Sequence, residues 1–168
     1  MKKLFSFSKF RFYLLHFLLL FCISLFTFSN AALATCWVQA ANHFDVDPLL
    51  LKAIAKVESS MNPKAINRNS NGTFDIGMMQ INSIHLPRLE SKGINKKRLI
   101  NEPCLSVYVG AEILSGFIKQ FGYNWKAVGA YNAGAKHSRE SLRQNYAKKV
   151  WREYAKLISI RRNNKNLT

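Results

Sequence analysis

Apolar residues along this chain recur mostly at the three- and four-residue spacing of amphipathic helices. The clearest stripe follows Asp47-Pro48, where aspartate suits a helix N-cap and proline suits the first turn. Asn62-Pro63 ends this stripe, whose apolar members are Leu50, Ala53, Ile54 and Val57. The spacing predicts a helix that carries Glu58 in its last turn, beside a buried face.

Helical periodicity also covers most of the remaining chain. The predicted segments are Cys36–Phe44, His85–Ser91, a long helix from Glu102-Pro103 to Gly122, Trp125–Tyr131 and Leu142–Ile158. Strand character is confined to Thr73–Ile81, which follows a turn-rich stretch, Asn67–Thr73, with Asn71-Gly72 as the hairpin reversal. The pattern therefore predicts an α+β fold that is mostly helical and contains one small β element.

The first 34 residues have the pattern of an export signal rather than of a folded domain. A basic start with Lys2 and Lys3 precedes the apolar run Leu14–Phe28, and Ala32-Leu33-Ala34 is a suitable cleavage site. A retained anchor helix is the alternative, and polar residues near the end of the apolar run disfavour it. We therefore predict a cleaved signal peptide (1–34), one folded domain (35–160), a basic flexible tail (161–168) and a periplasmic location.

Cysteine usage fits an exported protein. Cys22 lies in the predicted signal, so the mature chain would retain Cys36 and Cys104. In an oxidising compartment we expect these two residues to form a disulfide, because a metal site needs more ligands at closer spacing. Two buried free thiols are the alternative interpretation.

The chain is strongly basic, with a formal charge of +16. Subtracting the four basic residues of the predicted signal leaves +12 for the mature chain. Nucleic acid is an unsuitable partner for an exported chain, whereas an anionic wall polymer or a membrane surface would be attracted by this charge. A basic face that is merely solvated is an equally good interpretation.

Two carboxylates, Glu58 and Asp75, lie in contrasting environments. Glu58 is expected beside apolar packing and at the negative end of a helix dipole, and both conditions favour its protonated form. Asp75 opens the β segment among polar turn residues, where it would serve as the charged partner. A proton donor paired with a charged carboxylate is the arrangement that cleaves glycosidic bonds.

Local motifs give a more specific indication. Three of them, Glu58-Ser59, Gly77-Met78-Met79-Gln80 and Ala130-Tyr131-Asn132-Ala133-Gly134, resemble the motifs of lytic transglycosylases. The spacing of 17 residues from Glu58 to Asp75 (75 − 58), with Asn-Arg-Asn before the turn and Gln-Ile-Asn-Ser after it, resembles animal c-type lysozyme. The combination, over about Cys36–Ile158, is similar to the small exported transglycosylases that accompany type III secretion systems. The resemblance implies a lysozyme-like fold, peptidoglycan glycan strands as substrate, and a secretion-system or pilus component as partner.

The resemblance also implies roles for individual residues. Glu58 would protonate the bridging oxygen of the MurNAc-β-1,4-GlcNAc bond and then accept the proton of the MurNAc 6-hydroxyl, which gives a 1,6-anhydro product. Asp75 would stabilise the oxocarbenium ion or act as a nucleophile, unless it only caps a turn. The residues expected to bind substrate are Ser59, Gln80, Tyr131 and Asn132.

Three further positions bear on the expected site. Tyr146 matches a tyrosine near the C-terminus of the family, although packing explains it equally well. Ser106 stands where the family usually has asparagine, which puts a local hydrogen bond in doubt. His85 is expected at the surface or in a helix cap.

Three functions are compatible with these residues. A monomeric lytic transglycosylase that opens local gaps in peptidoglycan for a secretion or pilus machine accounts for all the motifs. A hydrolytic muramidase, which would deliver water to the same intermediate, is compatible with Asp75. A non-catalytic peptidoglycan-binding assembly factor is disfavoured because Glu58 is retained. No motif implies a metal ion or another cofactor.

Overall fold

The computed structural model describes Tyr13 and residues 35–166. The chain divides into two units, Met1–Thr35 and Cys36–Thr168. Apart from Tyr13, the predicted signal peptide lies outside the described residues. None of the described helices has the length and apolar character needed to span a membrane.

Helices make up most of the described residues from 35 onward. They are α1 (35–44), α2 (Pro48–Ser59), α3 (Leu86–Glu90), α4 (Lys96–Asn101), α5 (Pro103–Phe121), α6 (Trp125–Ala133) and α7 (Glu140–Lys165). Short 3-10 helices precede α3 and α7, at Ser83–His85 and His137–Arg139. The strands β1 (Ile66–Arg68), β2 (Phe74–Ile76) and β3 (Ile81–Asn82) form one antiparallel sheet in the order β1-β2-β3. The predicted α+β fold, mostly helical with a small β element, is confirmed.

Helix α2 begins and ends where the sequence signals place it. The Oδ1 atom of Asp47 accepts a hydrogen bond of 2.7 Å from the backbone N–H of Leu49, and proline follows in the first turn. The helix buries Leu50, Ala53 and Ile54 of its apolar stripe and carries Glu58 in its last turn. The Oδ2 atom of Asp47 accepts a 2.5 Å hydrogen bond from the Tyr154 hydroxyl, which ties the start of α2 to α7.

The apolar core forms where α2, α5, α6 and α7 pack against one another. Helix α7 packs on both α6 and α2, and α6 packs on α5. Gly129 allows α6 and α7 to approach closely, because a Cβ atom there would lie 2.5 Å from the backbone oxygen of Arg143. Fully buried side chains of the core include Trp37, Leu51, Ile54, Leu114 and Val150.

A disulfide joins Cys36 in α1 to Cys104 in the first turn of α5, which confirms the predicted pairing. The two cysteines are separated by 68 positions in the sequence. Closing a loop of this length restricts the unfolded chain and stabilises the fold by roughly 4 kcal/mol on the loop-entropy model.

The apolar pattern does not predict β1 or α4. All residues of β1 are exposed, so this strand has no alternation between buried and exposed positions. Helix α4 is largely cationic and buries Leu99 alone, while the Asn95 side chain accepts a hydrogen bond of 3.0 Å from the backbone N–H of Arg98. Strand pairing and helix capping, rather than an apolar face, define these two elements.

Two predicted boundaries also differ from the structure. The single β segment Thr73–Ile81 is divided into β2 and β3 by the GMMQ turn (Gly77–Gln80). The tail expected from residue 161 is helical through Lys165. Arg162 and Lys165 place positive charge in the last turn of α7, where the negative end of the helix dipole favours it and so favours the longer helix.

Candidate active site

Glu58 is a partly buried carboxyl at the end of α2. Burial raises its pKa to about 7, and the negative charge of Asp75 adds to this rise. A 2.5 Å hydrogen bond from the Tyr146 hydroxyl to Oε1 of Glu58, and the charge of Lys149, act in the opposite direction on the pKa. Both protonation states of Glu58 are therefore accessible near neutral pH, which suits a group that first donates and then accepts a proton.

Asp75 lies in β2, the central strand, with a hydrogen-bond donor on each carboxyl oxygen. The Nδ2 atom of Asn82 in β3 donates to Oδ1 at 2.7 Å. The Nδ2 atom of Asn69, just after β1, donates to Oδ2 at 3.0 Å. Both asparagines also donate to Oγ1 of Thr73, at 3.0 and 3.2 Å. The sheet and its turn thus hold the Asp75 carboxyl in one orientation.

Glu58 and Asp75 line the same cleft, which has a volume of about 420 Å³. Its other walls are mainly uncharged and polar, formed by Asn69, Ser70, Asn71, Thr73, Gln80, Asn82, Tyr131 and Asn132, with Ile81, His85, Ile113 and Arg139 completing the lining. Amide and hydroxyl groups suit the hydroxyl and N-acetyl groups of sugars. Of the predicted catalytic and substrate-binding residues, the cleft brings together all except Ser59.

Tyr131 and Asn132 reach the cleft from the end of α6. The Tyr131 hydroxyl donates a hydrogen bond of 2.8 Å to the backbone oxygen of Met79. Its burial, and then the charges of Glu58 and Asp75, raise the pKa of Tyr131 well above its usual value, so the hydroxyl stays protonated. Asn132 is exposed to solvent in the cleft. Tyr131 therefore joins α6 to the GMMQ turn, while Asn132 is open to a ligand.

Ser59 and Gln80 both hold the GMMQ turn through hydrogen bonds to its backbone. The Oγ atom of Ser59 donates to the backbone oxygen of Met78 at 2.7 Å. The Nε2 atom of Gln80 donates to the backbone oxygen of Gly77 at 2.7 Å, and its Oε1 atom accepts from Nδ2 of Asn67 at 2.7 Å. Gln80 borders the cleft, but its amide is engaged with protein groups.

The GMMQ turn is also anchored to α5, and it approaches α4 closely. The Oγ atom of Ser106 in α5 accepts a hydrogen bond of 3.2 Å from the backbone N–H of Met79, so serine does supply a hydrogen bond at this position. Gly77 has a φ of +71°, and a Cβ atom there would lie 2.7 Å from the backbone oxygen of Leu99 in α4. Glycine alone combines this dihedral with such a close approach.

The cleft wall also carries an imidazole, that of His85. Partial burial lowers the pKa of His85, and the charge of Arg88 lowers it further, so this imidazole is neutral at physiological pH. Within the described ranges, no group of three or more His, Cys, Asp or Glu side chains is arranged to hold a metal ion.

Comparison with known protein families identifies the family to which this chain belongs. The family model described as the transglycosylase SLT domain matches residues 35–153. The chain belongs to this transglycosylase family. It is 50% identical over 137 residues to the invasion protein IagB of Salmonella typhimurium, a match that covers 82% of this chain and 86% of that protein. It is 41% identical over 131 residues to the protein IpgF of Shigella flexneri, covering 78% of this chain and 86% of that protein.

A solved structure confirms the lysozyme-like fold. The X-ray structure of an inactive mutant of lytic transglycosylase Slt from Pseudomonas aeruginosa matches this chain with a TM-score of 0.59 at 23% sequence identity. The match covers 77% of this chain and 24% of that one, so this chain corresponds to about a quarter of the length of Slt. With the family established, this chain is a peptidoglycan lytic transglycosylase.

The transglycosylase cleft also depends on residues that lie outside the predicted site. Tyr146, for which packing was an equal explanation, is the hydrogen-bond partner of Glu58. Asn69 and Asn82 hold the Asp75 carboxyl through hydrogen bonds. Both asparagines lie in the two runs, before and after the turn, that resemble c-type lysozyme, and this resemblance was the sequence signal for them. Lys149 influences Glu58 through its charge, and nothing in its sequence context indicated this.

Proposed function

We propose that this transglycosylase cleaves the MurNAc-β-1,4-GlcNAc bond of peptidoglycan and leaves a 1,6-anhydro end on MurNAc. The observation that carries the proposal is Glu58, a partly buried carboxyl with a pKa of about 7 in a cleft lined with amides. Its two protonation states are close in free energy near neutral pH, so the same group serves as acid and then as base.

In the proposed reaction, two protons pass through Glu58. The protonated carboxyl first donates to the bridging oxygen, and the bond from that oxygen to C1 of MurNAc breaks to give an oxocarbenium-like centre. The Glu58 carboxylate then accepts the proton of the 6-hydroxyl while the 6-oxygen bonds to C1. Between the two transfers, the Tyr146 hydroxyl stabilises the carboxylate through its hydrogen bond to Oε1.

We assign Asp75 the role of an electrostatic helper. It lines the cleft with Glu58, and Asn69 and Asn82 hold its carboxyl in place, which supports a fixed negative charge beside the developing positive centre. Tyr131 and Asn132 line the same cleft and are proposed to contact the sugar and its N-acetyl group. Ser59 and Gln80 would support binding indirectly, by holding the GMMQ turn.

Hydrolysis is the second candidate, and Asp75 is the observation that favours it. A carboxylate that stabilises the intermediate would lengthen its lifetime. Water, instead of the 6-oxygen of MurNAc, would then attack C1. Glu58 would then activate the water, and the product would end in a reducing MurNAc.

We further propose that the enzyme is exported to the periplasm, acts as a monomer and opens local gaps in the wall for a secretion or pilus machine. The 50% identity to a protein named for invasion supports this role. The charge of +12 that remains after removal of the predicted signal (16 − 4) favours encounter with anionic wall polymer.

The chemistry is tested by incubating purified sacculi with the mature protein and analysing the released muropeptides by mass spectrometry. Products ending in 1,6-anhydro-MurNAc are expected. Reducing MurNAc ends alone would support hydrolysis, and intact sacculi would support a non-catalytic binding factor.

The cellular role is tested separately, in a deletion strain of the source organism. Wild-type protein should restore secretion, and Glu58→Gln should not. Full restoration by the inactive variant would show that the machine does not require cleavage.

A further inference from the structure

A second groove, the Lys149 groove, adjoins the cleft at Glu58. It has a volume of about 420 Å³ and is lined by residues of α2, α6 and α7 and the preceding 3-10 helix, among them Glu58, Asn132, Arg139, Asn145, Tyr146 and Lys149. Three of these residues, Glu58, Asn132 and Arg139, line the cleft as well. A substrate held at Glu58 therefore has access to two adjoining spaces.

The Lys149 groove carries two cationic side chains, Arg139 and Lys149. Both residues are exposed, and neither forms an ion pair with any residue that the structure describes. The Nη1 atom of Arg139 donates to the backbone oxygen of Ala133 at 3.2 Å, which steadies the guanidinium. Glu140, the next residue in the chain, is bound to Arg143 at 2.5 Å instead.

The Lys149 groove and the cleft therefore offer different chemistry. Among the described residues that line the groove, Glu58 is the only acidic one, and it stands at the junction with the cleft. The cleft is lined mainly by amides and hydroxyls, which suit uncharged sugars. A guanidinium and an ammonium in one groove suit carboxylates, through charge-assisted hydrogen bonds.

We propose that the Lys149 groove binds carboxylates of the peptide that a muramyl residue carries, and that Arg139 and Lys149 thereby favour peptide-bearing strands. In peptidoglycan the sugar rings are uncharged, whereas the peptides carry free carboxylates. The inference rests on the proposed function, because Glu58 must stand at the muramyl linkage for the peptide to reach the groove. Arg139 and Lys149 are then specificity residues that contact substrate away from the bond being broken.

The test compares two synthetic GlcNAc–MurNAc oligosaccharides with the same peptide, one with free peptide carboxylates and one with these converted to carboxamides. Dissociation constants are measured by calorimetry in a Glu58→Gln background, in which turnover is strongly reduced. The parent protein should bind the free-acid ligand more tightly, by roughly threefold to tenfold for two exposed charge pairs. Arg139→Gln combined with Lys149→Gln should abolish this preference.

The matched control is Lys148→Gln, which removes the same charge from the neighbouring position of α7. Lys148 is exposed and lines a different groove, beside Trp151, so this variant should retain the preference. Glutamine at position 139 still has an N–H group to donate to Ala133, and Arg139→Lys should keep part of the preference because it keeps the charge. Circular dichroism and thermal melting establish that each variant is folded.

Any of four results would overturn the inference: no preference in the parent, preference retained in the double variant, an equal loss in Lys148→Gln, or no binding of either ligand. Failure of the proposed chemistry would look different. It would appear as absence of 1,6-anhydro products from wild-type protein, while the binding preference could still be measured in the Glu58→Gln background.

Discussion

The hydroxyl of Tyr146 lies 2.5 Å from Oε1 of Glu58, although the two residues are 88 positions apart in the sequence. The contact joins the second turn of α7 to the end of α2. It lowers the pKa of Glu58 against the larger effect of burial, which raises it. Tyr146 therefore limits how far the pKa of Glu58 rises and also helps to position its carboxyl.

We predict that Tyr146→Phe shifts the pH–rate profile to higher pH. The lost hydrogen bond stabilises the charged form of Glu58, so its removal raises the Glu58 pKa above about 7. Tyr154→Phe is the control, because this tyrosine lies on the same helix and donates to Asp47 instead. A profile that is unshifted in Tyr146→Phe, or shifted equally in both variants, would contradict the prediction.

We expect Glu58→Gln to reduce turnover by about 10²–10⁴-fold, the usual contribution of a general acid–base group. Glutamine is nearly isosteric and still accepts the Tyr146 hydrogen bond, so the fold and glycan binding should survive. Muropeptide release and calorimetric binding are the two measurements. More than a tenth of the wild-type rate would remove Glu58 from the acid role.

The same Glu58→Gln variant should also change how stability depends on pH. A carboxyl whose pKa rises from 4.5 to about 7 on folding binds protons more tightly in the folded state. Wild-type stability therefore falls as pH rises between these values, and the glutamine variant lacks this loss. Relative to wild type, the variant should gain about 1–3 kcal/mol in unfolding free energy between pH 4 and pH 8. Urea unfolding at both pH values measures the gain, and an equal effect of the substitution at both would contradict it.

Asp75→Asn tests the electrostatic role of the second carboxyl. Removing its charge takes away one contribution that raises the Glu58 pKa, so the pH–rate profile should shift to lower pH, opposite to Tyr146→Phe. The rate should also fall by about tenfold or more, because the positive intermediate loses a charge partner. Asp45→Asn, an exposed substitution outside the cleft, is the control. A wild-type rate in Asp75→Asn would leave Asp75 with a structural role in the sheet, and the reaction would then depend on the substrate's own N-acetyl group.

The Cys36–Cys104 disulfide should be essential for full stability. Non-reducing mass mapping should recover the linked peptides from exported protein. Cys36→Ser combined with Cys104→Ser should lower the unfolding free energy by about 4 kcal/mol, because the unfolded chain regains the freedom of a long loop. Freely alkylated thiols in the exported wild-type protein would contradict the pairing.

Gly77→Ala should destabilise the protein more than Gly72→Ala does. Both glycines have positive φ, at +71° and +83°, so both substitutions introduce backbone strain. Only Gly77 is crowded, because a Cβ atom added there would lie 2.7 Å from the Leu99 oxygen, whereas a Cβ at Gly72 meets open space. The difference between the two variants should be about 1–3 kcal/mol in chemical denaturation, and equal losses would show that the close approach has no effect.

Much of the helical fold follows from local signals in the sequence. Helices α2 and α5 combine a proline in the first turn with an apolar stripe, and both begin and end near the predicted residues. Strand β1 and helix α4 lack such a stripe, because their stability comes from pairing and capping. The apolar pattern of these two segments shows neither the pairing of β1 with β2 nor the capping of α4.

The site was predictable to the extent that its residues lie in motifs. Glu58 and Asp75 were predicted from two carboxylates of contrasting surroundings, and the structure lines one cleft with both. The partner of Glu58 was not assigned, because Tyr146 meets it only when α7 packs on α2. Ser59 and Gln80 were expected to bind sugar, and this role stays a prediction. In the structure, both side chains donate hydrogen bonds to the backbone of the GMMQ turn.

The anchoring of the GMMQ turn changes what a motif match reveals about related genes. Its residues are held by Ser59, Ser106 and Tyr131 through backbone hydrogen bonds, which any chain with this architecture needs whether or not it cuts glycan. On the proposed mechanism, a relative that lacked Glu58 would lose activity, while the hydrogen bonds of its turn would be unaffected. Genome surveys that aim to separate working enzymes from inactive descendants should therefore weigh positions 58, 75 and 146, and treat the turn as a marker of ancestry.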